Sequence, residues 1–399
     1  MSAPTHRSVT LVFADPGGQV LGQLPNIFVQ VPWLQETGAV VAQVLAEYEV
    51  SITIARLLHA DRAGEQVNAC YLAESRDAHL LPLQAWQGTL SDDPLRLPYA
   101  ELGGAAAELA WAQMRLAELR YQVTEAHQER TWNLSSIWAL RCGSEKFWLK
   151  TIPPFFAHEG AVLELLQEET VPRLLWHAGA RCLLADLPGE DQYGAPLSVI
   201  LDMVEYLVEL QWRWCNRTSE LLAAGVPDHR LEKLRELIQR VVTDYASHLP
   251  TARQQRLRNY IDGLPERLQE LEACGLPVTL VHGDYHPGNW RGVGNKLSVL
   301  DWGDCVVGHP LLDLPPVLRS ISADDHDVLQ QHWASCWQRK VPAADVLTAM
   351  TLIKPLAALR MAAVYQMFLD NIEASEQVYH RDDPLQMIER ACAELDQIG

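Results

Sequence analysis

The stretch from Pro277 to Asp304 constrains this chain more than any other part of it. Pro277–Val281 is apolar and rich in β-branched residues, the pattern of a short strand. It leads into His282-Gly283-Asp284-Tyr285-His286-Pro287-Gly288-Asn289, a loop that reads H-G-D-x-H-x-x-N. Gly292-Val293-Gly294-Asn295-Lys296 is a turn cluster. Leu297–Leu300 is a second strand, and Asp301-Trp302-Gly303-Asp304 follows at its end. A loop, a hairpin and a terminal aspartate are thus predicted within one short segment, which is far more specific than a lone His-x-Asp. The plainer reading is a histidine and an aspartate satisfying each other in an ordinary loop.

Transfer of a phosphoryl group to a hydroxyl asks for few protein groups: one carboxylate at the acceptor and two oxygen ligands for the Mg²⁺ on the nucleotide. Asp284 would serve the acceptor, and Asn289 and Asp301 would hold the metal. In these residues the chain resembles the aminoglycoside phosphotransferase and choline kinase family, small-molecule relatives of the protein kinases. Gly283 and His286 depart from the protein-kinase H-R-D-x-x-x-x-N loop in the way the small-molecule branch does. A metal hydrolase is the rival, with His282, Asp284 and His286 as zinc ligands. That reading leaves Asn289 and Asp301 without a task, whereas Mg²⁺ with hard oxygen ligands uses both. His282 is then expected to hold the loop, and His286 to brace or pack it.

Upstream, Ser135–Arg141 and Glu145–Lys150 read as two strands joined through Cys142-Gly143-Ser144. Lys150 ends the second, where the family places the lysine that binds nucleotide phosphates. In the helix predicted after Pro153-Pro154, Glu159 shares a face with Val162, Leu163 and Leu166, whereas Glu164 shares one with Glu168. Glu159 is therefore the expected partner of Lys150, and the resemblance agrees. No G-x-G-x-x-G precedes the first strand; the resemblance, in which serine-containing loops often take its place, implies that the backbone N–H groups of Ser135 and Ser136 face the phosphates. The backbone from Ala185 to Leu187 is the expected hinge for the nucleobase; a plain β-hairpin remains the alternative there. Helical periodicity then covers 198–222, 230–249, 253–273, 325–339 and 343–376. Gly308-His309-Pro310-Leu311-Leu312-Asp313 resembles a family segment that braces the core, which gives Asp313 a structural role. The resemblance runs from about Thr131 to the end of the 399 residues.

Residues 1–125 are surplus to such a kinase. Strands are expected at Val9–Phe13, Val20–Leu24, Asn68–Glu74 and Leu80–Gln87, with helices at Glu36–Val50 and Gly103–Glu125. This mixed order resembles a Nudix hydrolase domain, but only Glu47 and Glu49 stand where a glutamate cluster would be needed, so the domain is expected to be degenerate and non-catalytic. An unrelated accessory or dimerisation domain is the other reading.

Hydrophobic residues make up 48% and charged residues 21%, as in globular chains. No signal-peptide core or uninterrupted apolar span is read, so a cytoplasmic location and no membrane partner are expected. The eight scattered cysteines read as buried thiols. A formal charge of −19 leaves no overall basic surface for nucleic acid. From residue 365 onward eight acids stand against Arg381 and Arg390. The resemblance implies that C-terminal helices help to wall the acceptor pocket, so these acids would receive an acceptor carrying an amine, a solvated helix face being the other reading.

The expected fold is α+β: a bilobal protein-kinase-like fold with a β-rich lobe (126–190) and a helical lobe (191–399), preceded by an α/β Nudix-like domain (1–125). The expected activity is phosphoryl transfer from ATP or another nucleoside triphosphate, with Mg²⁺, to a hydroxyl of a small molecule. A catalytically silent nucleotide-binding scaffold is the alternative from another class.

Overall fold

The structure, a computed structural model, describes residues 6–63, 66–294 and 296–398. Residues 1–5, where no signal peptide is expected, and Asn295 of the predicted turn lie outside it. The chain divides into two compact units. The first gathers Met1–Gly160, Arg173–Asp186 and Asn371–Tyr379; the second holds Ala161–Pro172, Leu187–Asp370 and His380–Gly399.

The first unit is built on two sheets. Strands β1 (Arg7–Ala14), β2 (Val20–Val29), β3 (Thr53–Ala63) and β4 (Gln66–Glu74) lie in the order β2-β1-β4-β3, with β1 and β4 parallel and the other pairs antiparallel. The β1–β2 hairpin closes on Asp15, whose carboxylate accepts the N–H groups of Gly17 and Gln19 at 2.9 Å. Helix α1 (Gly38–Tyr48) buries Val40 and Val44 in a core with Val9, Leu11, Phe13 and Tyr71. Full burial of such aliphatic side chains is worth about 1.5–3 kcal/mol each. The helix ends where Glu49 turns left-handed, at φ 58°, and donates its N–H to Leu45 O. Both Glu47 and Glu49 are exposed.

One predicted strand is absent. Ala78–Leu80 is a single tight turn, and Gln84 makes only an isolated bridge to Gln23. Pro82 lacks the N–H that a ladder position needs. Conversely, β3 was not expected, because Arg56, His59 and Asp61 interrupt its apolar pattern.

Helix α2 (Gly104–Glu118) precedes the second sheet, formed by β5 (Glu125–Trp132), β6 (Ser135–Cys142), β7 (Glu145–Thr151), β8 (Leu174–Ala178) and β9 (Arg181–Ala185) in the antiparallel order β5-β6-β7-β9-β8. Helix α3 (Glu159–Leu165) lies between β7 and β8 in sequence. Ala112 and Leu116 of α2 pack on Trp138, Leu140 and Leu149. Gln128 stitches β5 to β3, giving Nε2–H to Ile54 O at 2.7 Å and accepting Ile54 N–H at 2.9 Å. The returning segment Asn371–Tyr379 brings Glu376, which accepts N–H groups from Leu57 and Asn133 at 3.2 Å each.

The second unit is mostly helical. In chain order it contains β10 (Glu190–Asp191), α4 (Leu197–Trp214), α5 (Thr218–Ala223), β11 (Asp228–His229), α6 (Leu231–Tyr245), α7 (Thr251–Asp262) and α8 (Leu264–Ala273). These are followed by β12 (Thr279–Val281), β13 (Trp290–Val293), β14 (Lys296–Val299), β15 (Val306–Gly308), α9 (Leu314–Arg319), α10 (His326–Lys340), α11 (Val346–Asn371) and α12 (Asp383–Ile398). Two small sheets, β10-β13-β14 and β11-β15-β12, carry the loop of interest. The helix predicted over 253–273 breaks at Gly263, because Pro265 belongs in a helix's first turn. The helix predicted to 376 stops at Asn371. Among the described helices α11 has the length and apolar composition of a membrane span, but it buries Met350, Ile353, Leu356 and Leu359 as a core helix does.

Candidate active site

The site is anchored by aromatic packing. Tyr285 is fully buried, packs at a tilt against Trp290 with ring centroids 5.0 Å apart, and donates its hydroxyl to Met203 O at 2.7 Å. His282 is wedged against Tyr285 and Trp302, with centroids at 5.6 and 4.7 Å. Its Nε2 pairs with Leu300 O at 2.8 Å, and its Nδ1 accepts the N–H of Asp284 at 3.3 Å. Burial lowers the His282 pKa, so the ring is neutral and holds the loop against the end of β14. Gly283 has φ 89°, and a Cβ there would come within 2.1 Å of Asp304 O, so only glycine fits.

Asp313 fixes the same loop from beneath. Its Oδ1 accepts Gly283 N–H at 2.7 Å, and its Oδ2 accepts His282 N–H and Gln211 Nε2–H at 3.0 Å each. Burial raises the Asp313 carboxyl to about 7 against the pull of those N–H groups. Arg360, fully buried in α11, donates to His229 Nδ1 at 3.0 Å and to Asp304 O at 3.3 Å. Gln211 and Arg360 were not singled out from the sequence, since each shares its helix with other polar residues, such as Glu209 and Arg213 in α4 and Lys354 and Gln366 in α11.

Asp284 is held by two side chains on one oxygen. His286 Nε2 lies 3.2 Å from Oδ2, and Asn289 Nδ2 donates to Oδ2 at 3.2 Å and to the Asp284 carbonyl at 2.9 Å. His286 Nδ1 accepts Gly288 N–H at 3.0 Å. Burial acts to raise the Asp284 pKa, but the bond from His286 and the charges around it outweigh that, and the carboxyl lies below its ordinary value. In both His282 and His286 each ring nitrogen already has a hydrogen-bond partner, so neither has a lone pair left for zinc.

Asn289 and Asp301 flank the open end of the β13–β14 hairpin. Trp290 pairs with Val299, and Leu300 N–H donates to Asn289 O at 2.8 Å. Asp301 is exposed and left-handed, at φ 61°, ψ 67°. With its amide nitrogen committed to Asp284, Asn289 has its carbonyl oxygen to offer. An amide oxygen and a carboxylate are both hard donors of the kind that Mg²⁺ takes.

In the first unit, Lys150 Nζ donates to Glu159 Oε1 at 2.8 Å, and the side chains are 12% and 2% exposed. The lysine and the glutamate chosen for it are therefore paired. Other expected contacts are placed differently. Ser135 and Ser136 open β6 and are buried, and their hydroxyls accept the indole N–H groups of Trp132 and Trp138 at 3.0 and 3.2 Å. Ser136 is flanked on both sides of the sheet, by Thr131 and Thr151, so its N–H lies within the ladder rather than facing a phosphate. At the turn itself, the Asn133 N–H is taken by Glu376. Ala185 N–H is donated to Arg173 O at 2.9 Å, and Leu187 O accepts Arg291 Nε–H at 3.0 Å, so these two hinge groups are already engaged.

The C-terminal acids do not form one wall. Glu373 and Glu376 belong to the first unit and are buried. Asp383 pairs with His380 at 3.1 Å, Asp396 with Arg256 at 2.9 Å, and Asp370 accepts from Gln366 at 2.7 Å.

Comparison with known proteins gives a consistent result. The sequence model of the phosphotransferase enzyme family, APH, matches residues 138–339, just over half of the chain. No curated protein sequence matches significantly. Among solved structures, macrolide 2′-phosphotransferase MphH from Brachybacterium faecium is similar at 17% identity and a TM-score of 0.51, over 68% of this chain and 96% of that one. Choline kinase LicA from Streptococcus pneumoniae is similar at 13% identity and a TM-score of 0.52, over 73% and 99%. An ethanolamine kinase from Plasmodium vivax is similar at 11% identity and a TM-score of 0.50, over 67% and 82%. At these identities the likeness is one of fold.

Proposed function

Because this chain belongs to the phosphotransferase enzyme family, we propose that it transfers the γ-phosphate of ATP to a hydroxyl of a small molecule. The observation that carries this reading is the state of Asp284. Its Oδ2 takes the bonds from both His286 and Asn289, its carboxyl is depressed into the ionised form, and Oδ1 is left for the acceptor hydroxyl. Asp284 then orients that hydroxyl and takes its proton as the oxygen attacks phosphorus. Asn289 and Asp301 would hold Mg²⁺, which when bound neutralises charge on the phosphates. Lys150, kept in place by the buried Glu159, supplies a fixed cation to the nucleotide phosphates. With the Asn133–Ser136 hairpin engaged internally, that role falls to Lys150 rather than to a loop of backbone N–H groups.

The engaged hairpin is also what favours the second reading, a nucleotide-binding scaffold without turnover. The four-stranded sheet with α1 is read as a degenerate Nudix-like domain without activity of its own, since Glu47 and Glu49 are exposed and, among the described residues, belong to no cluster that could hold a metal ion. The test is a thermal-shift assay with Mg-ATP, followed by ADP release across a set of hydroxyl compounds. Stabilisation by Mg-ATP together with Asp284-dependent ADP release is expected. Stabilisation without any turnover would support the scaffold, and no stabilisation would overturn both readings.

A further inference from the structure

The second unit contains a cavity of about 250 Å³ walled by α9, α11 and α12. Its lining has two chemistries. Pro315, Pro316, Met361 and Met387 give an apolar surface, and Arg319, Lys354 and Arg390 give three cations, against one acid, Glu394. This is unusual in a chain of net charge −19. Several other arginines of this unit are neutralised: Arg213 by Glu169, Arg230 by Asp228, Arg256 by Asp396 and Arg339 by Glu205. Among the described residues Arg319, Lys354 and Arg390 make no hydrogen bond or ion pair. The protein packed around Arg319 and the charge of Arg390 both lower the Arg319 pKa, so the cluster repels itself as it stands. A bound anion removes that repulsion, and guanidinium groups take carboxylate or phosphate through paired N–H donors.

The cavity adjoins the elements that hold the Asp284 loop. Leu312, in its wall, precedes Asp313, which accepts the backbone of His282 and Gly283. Met361, in its wall, follows Arg360, which donates to Asp304 O. The charge of Asp284 acts on both Arg319 and Tyr365.

We propose that this cavity receives the hydroxyl acceptor and that the acceptor carries an anionic group, a carboxylate or a phosphate, held by Arg319 and Arg390 with Lys354. The proposal rests on the phosphotransferase reading above. It replaces the amine-bearing acceptor suggested by the count of C-terminal acids, because those acids are dispersed or already paired and only Glu394 reaches the cavity.

The test uses the full-length protein saturated with Mg-ADP, so that the nucleotide site is filled. Inorganic phosphate and citrate are then titrated and the melting temperature is read. A rise with either probe, lost in R319Q/R390Q and reduced in K354Q, is expected; the more effective probe distinguishes phosphate from carboxylate recognition. No rise, or an equal rise in the double variant, overturns the proposal. The Mg-ADP shift in each variant reports that it is folded. That shift is also an independent readout of nucleotide binding: its absence in the wild type, with the anion response intact, would count against the phosphotransferase reading alone. ADP release is then compared across glycerol, glycerate, glycerol phosphate and 3-aminopropane-1,2-diol. Preference for the neutral or cationic compound, with a KM unmoved by Arg319→Gln, would also overturn it.

Discussion

His286 ties the backbone of its own loop to the carboxylate of Asp284, accepting Gly288 N–H on Nδ1 and placing Nε2 3.2 Å from Asp284 Oδ2. Without His286, burial is left to raise the Asp284 pKa. His286→Ala should therefore move the acid limb of the kcat/KM profile to higher pH and leave the alkaline limb in place. An acid limb that does not move would remove His286 from the positioning of Asp284.

Asp284→Asn should preserve the fold and the Mg-ATP thermal shift while lowering turnover by roughly 10²–10⁴, the usual worth of a positioned general base. That is about 3–5 kcal/mol of barrier. Near-normal ADP release from the purified variant would take Asp284 out of the mechanism.

Asp301 separates stability from activity. Its left-handed backbone costs a non-glycine residue about 1–2 kcal/mol. Asp301→Gly should therefore melt at a higher temperature than Asp301→Ala, and both should lose Mg²⁺-dependent turnover. Activity retained by either variant would show that the metal is held without this carboxylate.

Lys150→Ala leaves the Glu159 carboxylate buried without its cation, a change that typically costs 3–5 kcal/mol. Lys150→Met combined with Glu159→Gln should regain stability in chemical denaturation but not activity. If the single and double variants are equally stable, the pair is not coupled.

The buried Glu376 carboxyl is raised from 4.5 to about 8 by burial, with Glu373 adding to the rise. A raised acid pKa means that the folded chain keeps a proton the unfolded chain gives up. That stabilisation is full below pH 4.5 and is lost as pH climbs through about 8. Glu376→Gln places an N–H₂ against the Leu57 or Asn133 N–H, so it should lower stability at acid pH by roughly 1–3 kcal/mol. It should also flatten the fall in melting temperature between those two pH values; a slope equal to wild type would mean that other groups govern it.

What could be read from the sequence is what the chain places close together in sequence. His282 to Asp301 lie across one hairpin, and Lys150 finds Glu159 nine residues on; helix periodicity picked out Glu159, while the resemblance supplied Lys150 and the loop residues. Arg360 reaches His229 from 131 residues away, and Gln211 reaches Asp313 across 102; neither pairing leaves a local signature. The same limit scattered the C-terminal acids, whose addresses depend on which unit each segment joins. It also hid the engagement of Ser136 and Ala185, because a backbone N–H is claimed by whichever strand or loop lies opposite it.

The return of Asn371–Tyr379 to the first unit bears on how this gene can be cut. A fragment ending near residue 190 would carry nearly all of that unit and still lack Glu376, leaving the Leu57 and Asn133 N–H groups without their acceptor. A fragment starting there would carry a stranded acidic turn in exchange. Recombination that swaps the N-terminal half for that of a relative must therefore bring two distant pieces of DNA together, and a single crossover would break an interior contact in both daughters.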